Sequence, residues 1–304
     1  MFQIKKNFMK KIGFTILIFL ALILNLQSSE KNVSNSGISQ AKVSQYTSDT
    51  FDKIINIANK EHWDTLPIGK IVAKVGMQFI NTIYLGHTLE KEPERCVLDL
   101  EGLDCVTFFE SSLDIARAIK LKETTIDEVI KQITFTRYRS GQLTDYTSRL
   151  HYTSDWFYDN IKKGVVEDIT KMLGGTAINF NLYYMSKYYQ RYNQLKNNPD
   201  FVKTIKSIEQ DINYRTYYYI PREQIHNIES LLQDGDIVGL MINTNGLDYS
   251  HTGLICKEKD GLARFMHASF VKSKVVLDTT ISEYVSRNSN IVGVTFVRPL
   301  KPTK

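Results

Sequence analysis

The spacing of apolar residues changes once along this chain, and that change constrains the fold more than any other feature. Ile71, Val72, Val75, Phe79, Ile80 and Ile83 recur every three to four positions, the period of an amphipathic helix. A second stripe runs through Cys105, Phe108, Phe109, Leu113, Ala116 and Ile119, starting at or just after Asp104, a residue suited to an N-cap. Ile126, Val129, Ile130 and Ile133 make a third. From Asp236 onward the runs are short, alternating or wholly apolar: 236–242, 251–256, 263–267, 274–277 and 291–297. Turn-rich pieces at 243–246 and 258–261 separate them as hairpin connections would. Helices first and an antiparallel sheet last is an α+β layout, not an alternating parallel one. Between the two parts, residues 186–226 hold a helical stretch and the run Tyr217-Tyr218-Tyr219, which reads best as a strand. There are no internal repeats.

At 304 residues and 42% apolar, the chain can bury a substantial core. Its first residues read differently. Lys5, Lys6, Lys10 and Lys11 precede an apolar run from Phe14 to Leu26, which ends in Gln27-Ser28-Ser29. That order predicts a secretory signal peptide over residues 1–28. The run is short against the roughly 20 residues that span a bilayer, so no stable membrane span is expected after signal cleavage. Residues 29–45 read as a polar leader, and 46–304 as the folded domain. The expected location is outside the cytoplasm, in a periplasm or the extracellular space. The formal charge is +5, but residues 1–28 carry four lysines and no acid, leaving the remainder near neutral. A protein so balanced is not built to bind the nucleic-acid backbone.

The chain has three cysteines, Cys96, Cys105 and Cys256, too few for a disulfide-dense scaffold. Neither Cys-x-x-Cys nor His-x-x-x-His occurs, so no metal site is expected. Cys105 stands apart because it opens a helix, where negative charge on sulfur is stabilised. His251 and His267 lie on predicted strands downstream. One can act as a proton acceptor for the thiol and the other can orient that imidazole. The bland reading is a small buried Cys on an apolar helix face and two half-buried strand histidines. Three such contexts in one order favour a cysteine hydrolase over it. His251 and Cys256 differ by five and so point to opposite faces of one strand, which argues against Cys256 as a disulfide partner that blocks Cys105.

Larger motifs sharpen this. Phe79–Glu90, Leu103–Glu110 (Leu-Asp-Cys-Val-Thr-Phe-Phe-Glu), Arg137–Gly141, Tyr146–Trp156 (with Ser-Arg-Leu-His-Tyr), Ile220-Pro221, Asp234-Gly-Asp236 and the two histidine segments occur in that order. Over about residues 50–300 the chain resembles the N-acetylmuramoyl-L-alanine amidase-like branch of the NlpC-type, papain-like bacterial cell-wall hydrolases. The resemblance implies a papain-like α+β fold with the nucleophile at a helix start packed on an antiparallel sheet. It implies cleavage of the amide between N-acetylmuramic acid and L-Ala in peptidoglycan or muropeptides, without a cofactor. It makes Cys105 the nucleophile, His251 the base, His267 the orienting group and Tyr84 a helper at the oxyanion. One departure touches Tyr84: where the family has Leu-Gly-Thr-Pro-Tyr, this chain has Ile80-Asn-Thr-Ile-Tyr84, without the Gly and Pro that set that backbone. In the Arg- and aromatic-rich segment 137–156, Arg149, His151, Tyr152 and Trp156 are candidate substrate contacts, since sugars stack on aromatic rings and carboxylates pair with Arg. Two rival functions remain open: a γ-D-glutamyl-diamino-acid endopeptidase using the same residues, and a catalytically inactive cell-wall-binding module.

Overall fold

The first helix begins where Ser44 caps it. The Ser44 hydroxyl accepts a hydrogen bond from the Thr47 N–H at 3.1 Å, and α1 (Gln45–Lys60) buries Phe51, Ile54, Ile55 and Ala58 along one face. The computed structural model describes residues 43–303. The expected signal peptide and all of the leader up to residue 42 lie outside these residues, and the expected domain start at 46 falls one residue inside α1.

After Pro67, α2 (Ile68–Gln78) buries Ile68, Ile71, Val72 and Val75. The helical spacing seen through Ile83 does not persist that far. Asn81 takes a left-handed φ of 72°, its N–H donates to the Val275 carbonyl at 3.0 Å, and the Val275 N–H donates to Thr82 at 2.8 Å. The sheet thus captures this segment as β1 (Ile83–Tyr84), which pairs in parallel with β2 (Gly102–Leu103). Next come α3 (Cys105–Leu121), α4 (Ile126–Arg137) and α5 (Thr153–Lys162). The middle of the chain holds β3 (Val166–Asp168), β4 (Thr176–Ile178), two short helices α6 (Tyr184–Lys187) and α7 (Asn193–Lys196), and α8 (Pro199–Asn213). The tyrosine run forms β5 (Tyr217–Pro221).

After α9 (Ile225–Ile228), the strands of the C-terminal part follow: β6 (Ile237–Ile242), β7 (Tyr249–Lys257), β8 (Ala263–Ser269) and β9 (Lys274–Thr280). Then come α10 (Ile281–Ser286) and β10 (Ile291–Pro299). They build a ten-stranded sheet in the order β2-β1-β9-β8-β7-β6-β10-β5-β4, with β3 on β10. Every pair but β1–β2 is antiparallel. The α+β expectation holds, and each predicted C-terminal strand is present; β7 to β10 run one to three residues beyond the expected ends, while β6 starts one residue later than expected.

Apolar side chains of α1 to α5 and the residues Leu254, Met266, Ala268 and Val275 of the sheet form one core cluster. A second gathers Val238, Leu240, Ile255 and Phe265 with Ile225, Ile228, Ile281 and Val285 from α9 and α10. Gly76 lets α2 approach the sheet closely, since a Cβ there would stand 2.7 Å from Met266 and 3.3 Å from Leu254. The floor of α3 is polar as well as apolar. Glu110 and Arg137 are both buried and form an ion pair at 2.8 Å; Arg137 also donates to Val97 and the Trp156 indole donates to Glu110. Such a pair adds specificity to the α3–α4–α5 packing as long as every member keeps its partner. Among the described residues no helix is long and apolar enough to cross a membrane.

Candidate functional site

The short parallel pair β1–β2 delivers the chain to the start of α3. Tyr84 registers with Leu103, and the Leu85 N–H donates to the Leu103 carbonyl at 3.2 Å. Asp104 then caps the helix in a capping box. Its carboxylate accepts from the N–H groups of Val106 at 3.0 Å and Thr107 at 2.8 Å, while its own N–H donates to the Thr107 hydroxyl at 2.9 Å. Cys105 becomes the first helical residue, half-buried and unbonded to another cysteine. From β7 the Thr252 hydroxyl donates to the Cys105 carbonyl at 2.9 Å, tying the helix start to the residue next to His251.

The electrostatics at sulfur differ from what a bare helix terminus would give. Burial pushes the Cys105 thiol up to about 11, the Asp104 carboxylate adds to that, and hydrogen bonds from Thr252 pull the other way. Asp104 occupies the first-turn N–H groups that would otherwise favour an anion, and brings a negative charge of its own. The resting group is therefore a neutral thiol that needs a base.

A candidate base lies on β7. The antiparallel β7–β8 pairing, with Leu254 opposite Met266, brings His251 Nε2 within 2.7 Å of His267 Nδ1. Phe265 stacks on the His267 ring with centroids 4.4 Å apart and planes 13° apart, and Tyr284 meets that ring edge-on at 5.1 Å. Burial drives both imidazoles down, His251 to about 3 with His267 contributing, and His267 to about 4 against the opposing pull of Asp278. Both rings are neutral near pH 7.

Asp278, on β9, stands 3.6 Å from His267 Nε2, a buried nitrogen with no hydrogen-bond partner among the described residues. Burial acts to raise the Asp278 carboxyl, but the Lys272 ammonium at 2.6 Å and the Thr279 N–H at 2.9 Å hold it below its ordinary value. An anion there favours the His267 tautomer that carries its proton on Nε2. His267 Nδ1 then accepts from His251 Nε2–H, which leaves His251 Nδ1 as the free, basic nitrogen. The arrangement Asp278–His267–His251 can set the tautomer that a general base needs.

Tyr84 stands beside the thiol. Its phenol is pushed up to about 12 by burial first, then by the charges of Cys105 and Asp104, so it remains an O–H donor. The missing family Gly is accommodated: Asn81, in its position, itself adopts the left-handed φ, which Asn tolerates better than most residues. With Asp104, Val106, Arg149 and His151, Tyr84 lines a cavity of about 270 Å³.

The segment 137–156 divides. Arg149 and His151 reach that cavity, yet both are internally engaged. Arg149 donates to the Leu89 carbonyl at 3.0 Å, pairs with Glu90 at 2.8 Å and lies over the Tyr146 ring. The His151 Nε2–H donates to the Tyr146 carbonyl at 2.8 Å, and burial, then Arg149, holds this imidazole well below its ordinary value. Tyr152 and Trp156 are not substrate contacts. The Tyr152 hydroxyl donates to Glu209 at 2.7 Å and accepts from the Met185 N–H at 3.1 Å. Trp156 is 2% exposed, donates to Glu110 at 3.0 Å and packs edge-on against Phe109. The reason is tertiary: Glu209 and Glu110, from other helices, take up the Tyr152 hydroxyl and the Trp156 indole and hold both side chains inside.

Three contributors escaped the sequence reading. Thr252 and Tyr284 carry no motif of their own. Asp278 was signalled only by parity, since His267 registers with Val276 and Asp278 lies two residues further along β9. A second cavity, of about 730 Å³, has His251 in its wall together with Ser250, Asn243, Thr244, Tyr284 and Arg287.

The sequence profile of the AmiA-like family, described as N-acetylmuramoyl-L-alanine amidase-like, matches residues 74–294, which hold every residue of this site. Among solved structures, an N-acetylmuramoyl-L-alanine amidase from Bacteroides uniformis is 30% identical, with 77% of this chain and 99% of that one covered and a TM-score of 0.72. A Bacteroides fragilis protein bearing a provisional xylanase name is 31% identical over 74% of this chain and 99% of that one, with a TM-score of 0.69. A Legionella pneumophila protein, 21% identical over 85% of this chain and 96% of that one with a TM-score of 0.62, shares the fold. No curated protein sequence matches the chain.

Proposed function

The chain belongs to the N-acetylmuramoyl-L-alanine amidase-like family, and from that premise we propose that it is an exported cysteine amidase. It hydrolyses the amide between the lactyl group of N-acetylmuramic acid and the L-Ala of a stem peptide, in the manner of an NlpC-type, papain-like hydrolase. The observation that carries this reading is the placement of Cys105 at a helix start, hydrogen-bonded to the residue beside a histidine whose own partner is a second histidine. The N-terminal signal pattern supports export.

In the first step the Cys105 sulfur bonds to the lactyl carbonyl carbon as its proton passes to His251 Nδ1. The new imidazolium is stabilised through His267 by the Asp278 charge. The carbonyl oxygen, now an anion, accepts from the Cys105 N–H, a first-turn amide without an intrahelical acceptor, and from the Tyr84 hydroxyl. The C–N bond then breaks, His251 returns the proton to the departing L-Ala amine, and the free peptide leaves. Water attacks the thioester with His251 again taking a proton, which releases the lactyl carboxylate and restores the thiol.

A glycosidase reading, raised by the xylanase name, fits the site poorly. Glycoside hydrolysis needs two available carboxyl groups. Glu110 in the smaller cavity has both oxygens engaged, by Arg137 and Trp156, Asp104 is committed to its cap, and Glu90 is paired with Arg149. Digestion of a defined muropeptide with products weighed by mass spectrometry tests the bond. Free amino sugar acid plus intact stem peptide is expected; a shortened peptide still joined to its sugar would assign the endopeptidase activity instead.

A further inference from the structure

One cavity adjoins Tyr84 and the chain neighbours of the nucleophile, another adjoins His251, and the two share no lining residue. The smaller, about 270 Å³, has Tyr84 and the neighbours of the nucleophile, Asp104 and Val106, in its wall. The larger, about 730 Å³, has His251 itself in its wall, with Ser250 and Tyr284 beside it. That volume falls in the range of sites that enclose a small-molecule or short-peptide ligand.

The chemistry of amide hydrolysis gives these two spaces different occupants. The acyl oxygen is held on the Tyr84 side, where the oxyanion forms. The departing amine takes its proton from His251, so the leaving group lies on the His251 side. We propose that the larger cavity is the binding site for the amine half of the substrate: the stem peptide, an amide-rich chain bearing free carboxylates. This assignment rests on the amidase reading and adds its polarity.

The walls suit that ligand. Among the described residues no Asp or Glu lines the larger cavity, whereas Glu90, Asp104 and Glu110 line the smaller one. Asn243, Thr244 and Asn290 offer amide and hydroxyl groups that can donate to and accept from peptide units. Among the described residues Arg287 is the one cation in the wall. Its side chain is held, among the described residues, only by a solvent-exposed pairing with Glu283, four residues earlier, and it is 58% exposed. An exposed i,i+4 pair of this kind is weak, so a peptide carboxylate can replace it with a two-pronged guanidinium contact.

The test is kinetic and uses the full chain with two substrates: N-acetylmuramoyl-L-alanine, whose peptide ends at the scissile bond's own residue, and N-acetylmuramoyl-tripeptide. Arg287→Ala, and separately Asn243→Leu, are expected to lower kcat/KM on the tripeptide substrate about tenfold, with the loss mainly in KM, and to change it less than twofold on the short one. In a Cys105→Ala background, Arg287→Ala is expected to weaken binding of the free tripeptide and leave N-acetylmuramic acid binding unchanged. Equal effects on both substrates, or weakened sugar binding with peptide binding intact, would overturn the assignment while leaving the amidase reading standing. If the unmodified chain cleaves neither substrate, the amidase reading fails and this assignment fails with it.

Discussion

His251 Nε2 and His267 Nδ1 face each other at 2.7 Å, and His267 turns its remaining nitrogen towards Asp278 at 3.6 Å. One proton is shared across the first contact, and the Asp278 charge decides which imidazole supplies it. Asp278 is thus a positioning residue that acts through His267. Asp278→Asn is expected to lower kcat about 10²-fold with KM little changed, and Asp278→Glu to recover part of the loss. Nitrogen NMR of the imidazoles supplies a second readout: the His267 tautomer should shift away from Nε2–H in Asp278→Asn. Unaltered kcat and tautomer would show that Asp278 only packs.

The resting thiol and imidazole are both neutral, since Cys105 is pushed up to about 11 and His251 down to about 3. A preformed thiolate–imidazolium pair would react with iodoacetamide at a nearly constant rate from mildly acidic pH upward. Here alkylation of Cys105 should be slow at pH 6 and climb steadily into the alkaline range. Removing the neighbouring charge by Asp104→Asn should move that climb to lower pH, because a carboxylate next to the sulfur opposes its ionisation. A flat profile from pH 5 to 8 would contradict this.

Stability should also carry a pH signature from α3. Burial raises the Asp114 carboxyl to about 7, against the pull of Arg117 and the Thr136 hydroxyl at 2.7 Å. A carboxyl raised in the folded state holds its proton there while the unfolded chain has released it. Stability from this group is therefore fully present below about pH 4 and lost as pH rises to about 7. Chemical denaturation across that window should show the decline, and Asp114→Asn, which keeps the shape without the charge, should flatten it.

The two inward-turned aromatics make a separate prediction. Trp156→Ala should cost about 3–5 kcal/mol of stability by opening a cavity and freeing one Glu110 oxygen. Trp156→Phe should cost less and leave KM on a muropeptide unchanged. By contrast, His151→Gln alters the wall of the smaller cavity and should raise KM. The opposite pattern would restore Trp156 as a substrate contact.

The elements that carry the candidate site residues were legible because their local rules are strong. Asp104 before an apolar stripe predicted a capped helix with Cys105 at its start, and alternating runs predicted the strands under His251 and His267. What escaped depended on tertiary partners. Nothing near Ile83 told that Asn81 would bend the chain into the sheet, since the hydrogen bonds that fix it come from Val275 on β9. Tyr152 and Trp156 misled for a similar reason: aromatic residues near Arg suit a sugar site and a buried polar core equally, and Glu110 and Glu209 decide between them from distant helices. Asp278 carried only a parity signal that required the β8–β9 register.

The central claim is that Cys105 cleaves the muramoyl–alanine amide, and one measurement addresses both halves of it. The unmodified chain and Cys105→Ala are each incubated with a defined N-acetylmuramoyl-tripeptide, and products are weighed over time. Free N-acetylmuramic acid and intact tripeptide are expected from the first, with a loss on the order of 10³-fold or more in the second. Cleavage within the peptide, or an undiminished rate without the thiol, would contradict it.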